Sequence, residues 1–399
     1  MKILMVNKFL YPNGGSETYI FELGKELTRQ GHQVEYFGME HENRIVGNHA
    51  ESYTSNMDFH TGKLQKLMYP FKIIYSREAR KKIRAVLRDF KPDVVHLNNF
   101  NYQLTPSIIY EIKAHKIPIV FTAHDLQLVC PNHLMIYGKT GKICERCVTE
   151  GSMSCFYGRC IHGSSVKSLL GTLENWIYKR FKPYKHIDTI ICPSHFVEEK
   201  LKQNPQLAGR TVVLRNFISE LKKPDGVQKE DYVLYFGRYS REKGVATLVE
   251  ACREMPEVRF VFAGKGELSE AVDSVKNIEN RGFLAGEELY RLVAAARFSI
   301  CASECPENCP FSVMESIKLG TPVVGAAIGG IPELIQEGET GLLVESGSKD
   351  ALKTVVSRLW NDKEENLRLI QGCNCVTYDN CGEYCKKMLD IYENCISGR

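Results

Sequence analysis

Short runs rich in apolar residues recur along the chain, most of them without the polar interruptions of a half-exposed strand. KILMV (2–6), QVEYF (33–37), DVVHL (93–97), PIVFT (118–122), DTIIC (188–192) and TVVL (211–214) form a first series. Runs of this kind predict strands buried on both faces, as in a parallel sheet covered by helices. Between them the apolar positions return every three or four residues. Tyr19, Ile20, Leu23 and Leu27 share one face of a helix that follows Gly14 and Gly15, with Ser16 as its predicted N-cap and Gly31 as its stop. Further helices are predicted over 64–90, 104–115, 164–182 and 195–203. The alternation restarts after ISELKKPDGVQKED (218–231), a polar stretch containing Pro224 and Gly226 that reads as a linker. YVLYF (232–236), RFVFA (259–263), FSICA (298–302), TPVVG (321–325) and GLLV (341–344) form the second series. The predicted fold class is α/β, with two Rossmann-like domains facing each other across a cleft. The expected limits are 1–220, 221–375, and a last helix within 376–399 that packs back on the N-terminal domain.

Length agrees with this plan, since 399 residues exceed one ordinary core. No apolar run approaches the ~18 residues of a membrane span. MKILMVNKFLYPNGG reads as a strand and turn, not as a signal peptide, which predicts a cytoplasmic location. In that reducing compartment the 15 Cys are not read as a disulfide framework.

Charge adds an asymmetry. Residues 1–223 hold 32 Lys and Arg against 20 acidic residues, and the remainder holds 20 against 28. Residues 61–91 alone carry ten basic and two acidic residues. Such a stretch suits nucleic acid, an anionic membrane surface or an anionic substrate, and equally a solvated helix face. The expectation adopted is membrane contact by a helix over 64–90 through its cations and Leu67, Met68, Phe71 and Ile74, with no nucleic-acid partner.

Two places carry candidate chemistry. In ECPENCPFSVMESIKLG (304–320), Pro310 predicts a helix start near Phe311, so Glu307 lies on the entering loop and Glu315 in the first turns. Carboxylates on either side of a positive helix terminus suit a ligand with hydroxyls at both ends and an anion between them. Arg238 and Lys243, in the turn after YVLYF, are placed to clamp a diphosphate. No Asp-x-Asp pair occurs in the chain. GKGELS (264–269) lacks the third Gly of a dinucleotide fingerprint, which counts against a nicotinamide enzyme.

Taken in order, GGSETYIFELGKELTRQGHQVEYF (14–37), VHLNN (95–99), FTAHDLQLVCP (121–131), ICPSHFVEEKL (191–201), VLRNFI (213–218), YFGRYSREKGVATLVEA (235–251), FVFAGKGE (260–267), the Glu-x7-Glu stretch and GGIPELIQEGETGLLV (329–344) resemble the retaining nucleotide-sugar glycosyltransferases of family 4, with the GT-B fold. The resemblance implies a hexosyltransferase-like enzyme whose chemistry needs no metal or other cofactor. Its donor would be a nucleotide-diphosphate sugar and its acceptor a glycan or lipid-linked glycan of cell-surface polysaccharide synthesis. It assigns the donor phosphates to Arg238 and Lys243, the donor sugar to Glu307 and the ribose hydroxyls to Glu315. Pro310, Phe311 and Ser312 would line the donor site, although Pro310 replaces a common Gly and removes an N–H. Gly14 and Gly15 would approach the phosphate or acceptor, and His124 would lie against the transferred sugar. The alternatives are a soluble small-molecule acceptor, or an inactive sugar-binding scaffold, against which the intact charged residues argue.

CERCVTEGSMSCFYGRCIH (144–162) spaces its thiols C-x2-C-x7-C-x4-C within an insertion at 130–162. Four soft ligands in a segment read as otherwise structureless match a structural zinc site of Cys144, Cys147, Cys155 and Cys160, with His162 as an alternative ligand. Reduced free thiols and disulfides are the other readings. Cys301, Cys305 and Cys309 read as packing residues.

Overall fold

In the computed structural model, described for residues 1–55, 74–218 and 221–398, the chain divides into two compact units, and the first takes in both Met1–Asn216 and the C-terminal helix from Cys381. In the first unit, β1 (Lys2–Val6), β2 (Gln33–Phe37), β3 (Val94–Leu97), β4 (Ile119–Thr122), β5 (Thr189–Cys192) and β6 (Thr211–Val213) pair in the order β2-β1-β3-β4-β5-β6. Every pairing is parallel. The helices are α1 (Gly15–Arg29), α2 (Arg77–Phe90), α3 (Ser107–Ala114), α4 (Arg146–Thr149), α5 (Met153–Gly158), α6 (Ser165–Phe181) and α7 (His195–Lys202). Side-chain caps mark several starts: Ser76, Ser164 and Ser194 accept from the N–H three residues on. Such caps satisfy donors that helical geometry leaves unpaired.

Three expectations change here. Ser16 lies inside α1, and Gly14 occupies the N-cap without a side-chain bond. The insertion is not structureless, because it folds α4, α5 and an antiparallel bridge between Ile136 and Ile143. The predicted helix over 64–90 is α2 from Arg77 onward; Leu67, Met68 and Phe71 lie outside the described residues. Ile74 packs against the core, and Arg80 and Arg84 both bind the buried Glu111 at 2.6–2.8 Å. Two cations that a lipid surface would need are therefore already paired.

In the second unit, β7 (Val233–Phe236), β8 (Phe260–Ala263), β9 (Ile278–Asn280), β10 (Phe298–Cys301), β11 (Val323–Ala326) and β12 (Gly341–Val344) form another parallel sheet, in the order β12-β11-β10-β7-β8-β9. Its helices are α8 (Val245–Arg253), α9 (Ser269–Asp273), α10 (Gly286–Ala295), α11 (Phe311–Lys318), α12 (Lys349–Asn361) and α13 (Lys363–Cys375). Both faces are buried. Val233 and Tyr235 join one cluster with residues of α8 and α12, while Leu234 joins the other with residues of α10 and α11. That double burial is why these strands read as continuous apolar runs. The edge strand β9, Ile-Glu-Asn, was missed because two of its three residues are polar. The last helix, α14 (Cys381–Ser397), belongs to the first unit. There Tyr384 meets the Tyr19 hydroxyl at 2.8 Å and Tyr392 meets His96 at 2.6 Å.

Candidate active site

In each sheet the strand order reverses beside the first strand, between β1 and β3 in one unit and between β7 and β10 in the other. Loops leaving the carboxyl ends of strands at such a reversal diverge and leave an open crevice. Arg238 and Lys243 follow β7, and Glu307 follows β10.

The two loops of the second unit are bound together. Glu304 and Cys305 donate their N–H groups to the Glu242 carbonyl at 3.0 and 3.2 Å. Gly244, at φ 70°, opens α8 directly beneath the neighbouring loop, and a Cβ there would stand 1.9 Å from the Ala302 carbonyl oxygen. Only glycine tolerates both demands. This close approach brings Lys243 Nζ to Glu307 Oε1 at 2.5 Å, and Ser303 Oγ donates to the same oxygen at 2.7 Å. Burial by itself would lower the Lys243 ammonium, but the Glu307 carboxylate raises it, so the cation persists. Glu307 Oε2 has no hydrogen bond among the described residues. Beneath it, Gly330 N–H binds the Glu307 carbonyl at 2.7 Å, so the loop beginning at Gly329 supports the carboxylate's backbone. Arg238 is more exposed, and its guanidinium pairs with Glu242 at 2.8 Å.

α11 begins at Phe311, with Pro310 as an extended N-cap at φ −67° and ψ 122°. Val313 N–H turns back to the Pro310 carbonyl, whereas the N–H groups of Phe311 and Ser312 have no partner among the described residues. Glu315 lies one turn further on, half-buried and without a hydrogen-bond partner among the described residues. Burial pushes its carboxyl up to about 7. An unpaired half-buried carboxylate is costly unless a ligand completes it. Cys301, Cys305 and Cys309 are buried packing residues behind this loop.

In the first unit, Gly14 and Gly15 open α1 after β1, and His124 follows β4. The His124 ring contacts Tyr19 edge-on with centroids 4.9 Å apart, and its Nε2 lies 2.8 Å from Asn98 Oδ1. Since that oxygen only accepts, Nε2 carries the proton and Nδ1 is left as an acceptor. Burial pulls the imidazole down to about 4, partly opposed by the Asp125 carboxylate, so the ring is neutral near pH 7. Around it lie residues that the sequence reading did not single out. Asn7 Nδ2 donates to the fully buried Glu17 at 2.9 Å, Asn99 donates to Ser16 Oγ at 2.9 Å, and Lys8 is burdened by desolvation while Asp125 and Glu17 support its charge. For Asn7, Lys8 and Asn99 the only sequence signal is position, just after β1 and β3.

The zinc expectation is not met by the thiols. Among the described residues no group of three or more His, Cys, Asp or Glu is arranged to hold a metal ion. All four thiols are free, and the Cys160 sulfur instead accepts the Gly138 N–H at 3.4 Å. Interaction with the Cys155 thiol holds Cys160 below its usual range.

No helix among the described residues is long and apolar enough to cross a membrane. Comparison with known proteins places this geometry. Residues 13–220 match the family described as Glycosyltransferase Family 4, and residues 217–373 match Glycosyl transferases group 1. The N-acetyl-alpha-D-glucosaminyl L-malate synthase of Bacillus anthracis is 24% identical over 377 residues, covering 89% of this chain and 87% of that one. Sucrose-phosphate synthase from Thermosynechococcus elongatus superimposes with a TM-score of 0.73 at 17% identity, covering all of both chains. Anabaena HepE, solved with UDP-glucose, reaches 0.68 at 17% identity over 99% of this chain and 100% of that one. Two parallel six-stranded sheets, helices on both faces of the second, and two matches that together run from residue 13 to 373 agree: the chain belongs to glycosyltransferase family 4 and is a glycosyltransferase of the GT-B fold.

Proposed function

We propose that this enzyme moves a sugar from a nucleotide-diphosphate donor to a hydroxyl of a glycan or lipid-linked glycan, with retention of anomeric configuration and without a catalytic metal. The observation that carries the donor reading is Glu315, a half-buried carboxylate with no protein partner among the described residues, one turn from two unpaired N–H groups. A carboxylate only accepts, so it suits the two adjacent hydroxyls of a ribose. The N–H groups of Phe311 and Ser312, at a positive helix terminus, suit the phosphate between ribose and sugar. Lys243 and Arg238 add charge where the leaving diphosphate becomes more negative, and Glu307 Oε2 accepts from hydroxyls of the transferred sugar.

In the retaining step the bond from the anomeric carbon to the phosphate oxygen breaks as the acceptor oxygen approaches the same face. The acceptor's proton passes to the departing phosphate oxygen. The Lys243 ammonium, held charged by Glu307, stabilises that oxygen as charge develops there. Neutral His124 offers Nδ1 to a sugar hydroxyl, which orients it without adding charge. The absence of Asp-x-Asp from the sequence and the adjacent cations support phosphate departure without a metal.

The test is transfer and donor hydrolysis across a panel of nucleotide sugars, with and without a chelator, and NMR of the product anomer. Turnover of at least one donor in chelator, with product and donor sharing an anomeric configuration, is expected. An inverted anomer, or activity lost in chelator and restored by magnesium, overturns the corresponding part.

A further inference from the structure

Large apolar side chains exposed to solvent are not spread evenly over this protein. Of the thirteen such residues among the described ones, seven lie between Met153 and Phe181, on α5, on α6 and at the C-cap side of α6. On α6, Val166, Leu169, Leu173 and Trp176 are between 42% and 69% exposed. At ~100° per residue they fall within an arc of about 80°. The opposite face carries Ser168, Gly171, Thr172, Glu174 and Tyr178, all buried. This helix is therefore amphipathic in the reverse sense, with its polar and small residues inward and its apolar stripe outward. Solvent is a poor environment for such a stripe, and contiguous exposed apolar surface marks an interaction site.

Charge selects the occupant. From Lys139 to Lys185 the chain holds nine Lys and Arg against three acidic residues, and one of the three, Glu174, is buried. Lys167, Arg180 and Lys182 flank the apolar stripe, and Lys185 follows shortly after. An apolar stripe bordered by cations, with a tryptophan on it, suits the interface of an anionic bilayer, where rings and aliphatic chains enter the acyl boundary and cations meet headgroups. We propose that the outward face of α6, with Met153 and Tyr157 of the adjoining α5, docks this enzyme on an anionic lipid surface. This deepens the lipid-linked reading of the acceptor and rests on it for its purpose, but not for its measurement. It also moves the membrane contact away from residues 64–90, where Arg80 and Arg84 are engaged by Glu111.

The test uses the full chain, without donor or acceptor, floated with vesicles of phosphatidylcholine with or without phosphatidylglycerol. The wild type should float with the anionic vesicles, less so at high salt, and stay behind with neutral ones. Leu169→Ser with Leu173→Ser and Trp176→Ser should lower partitioning about 100-fold. Lys167→Glu with Arg180→Glu and Lys182→Glu, which leaves the apolar stripe intact, should do the same. The chain has two tryptophans, and the other, Trp360, lies on α12 beside Arg297. Vesicles should therefore shift tryptophan emission to the blue, and Trp176→Phe should remove the shift while the protein still floats. Equal flotation of wild type and both triple variants overturns the proposal. So does a concentration-dependent dimer that the serine variant abolishes without any vesicle binding, since the stripe would then cover a second copy. Flotation with no transfer to any lipid-linked acceptor leaves the docking face standing and removes the acceptor reading; transfer without flotation does the opposite.

Discussion

The polar centres of the two units both lie near the carboxyl ends of parallel strands in sheets whose strand order reverses, yet they are built differently. In the second unit the groups are ionisable and half open: Lys243 against Glu307, Arg238 against Glu242, and Glu315 against nothing among the described residues. In the first unit they are neutral or internally satisfied: His124 on Asn98, His96 between Tyr392 and Thr122, and Glu17 bonded by Asn7. Burial acts on both, but it leaves a cation beside a carboxylate in one and two uncharged imidazoles in the other. On the proposed reading this is a division of labour, with fixed charge set toward a leaving phosphate and neutral donors and acceptors toward a sugar and its acceptor.

The sharpest way to break that comparison is Lys243→Ala. Removing the cation proposed to stabilise the leaving oxygen should lower kcat about 10²–10³-fold. A loss confined to KM would mean that Lys243 only binds substrate.

Next comes the separation of the two carboxylates. Glu315→Ala should weaken nucleotide-diphosphate binding by roughly 1.5–3 kcal/mol, read by calorimetry. Glu307→Ala should lower kcat more than it weakens that binding, because the sugar's position matters most in the transition state. The reverse pattern would exchange the assignments.

A smaller effect is expected from pH. With the Glu315 carboxyl raised to about 7 by burial, the folded free protein binds a proton that the unfolded chain has released, so this group's contribution to stability declines as pH rises from about 4.5 to 7. Ribose hydroxyls favour the ionised form. Nucleotide affinity should therefore rise by up to about tenfold per unit as pH approaches 7, then level off, with a proton released on binding. Calorimetry in buffers of different ionisation enthalpy detects the proton, and Glu315→Gln should abolish its release. His124, neutral above about pH 5, should add no step between pH 6 and 8. A step in that range that survives Glu315→Gln and disappears in His124→Asn would erase the proposed contrast between the units.

The smallest effect concerns α14. Tyr384→Phe removes a buried hydroxyl pair with Tyr19 and should cost about 1 kcal/mol of stability, read by denaturant midpoint. A change near zero would show that Thr122, 3.3 Å from the Tyr19 hydroxyl, takes over the bond.

What the sequence by itself determined is the two-sheet α/β plan and the motif order of a family 4 glycosyltransferase. Strands buried on both faces cannot hide their apolar runs, and only the polar edge strand β9 escaped. Residues whose charge or backbone freedom stands out locally were legible as candidates: Arg238, Lys243, Glu307, Glu315, Gly14 and Gly15. Only the tertiary structure decided what those groups meet. Lys243 and Glu307 are 64 positions apart, and it is the close approach of the loops after β7 and β10 at Gly244 that makes them a pair. Pairing also settled the cases that local spacing suggested differently. The C-x2-C-x7-C-x4-C thiols look like metal ligands, but they form no metal-holding group among the described residues; the cations of α2 look free, but Glu111 takes two of them. The outward apolar stripe of α6 was invisible for a related reason. Periodicity reports that a helix has an apolar face, whereas packing alone decides whether that face turns toward the core or away from it.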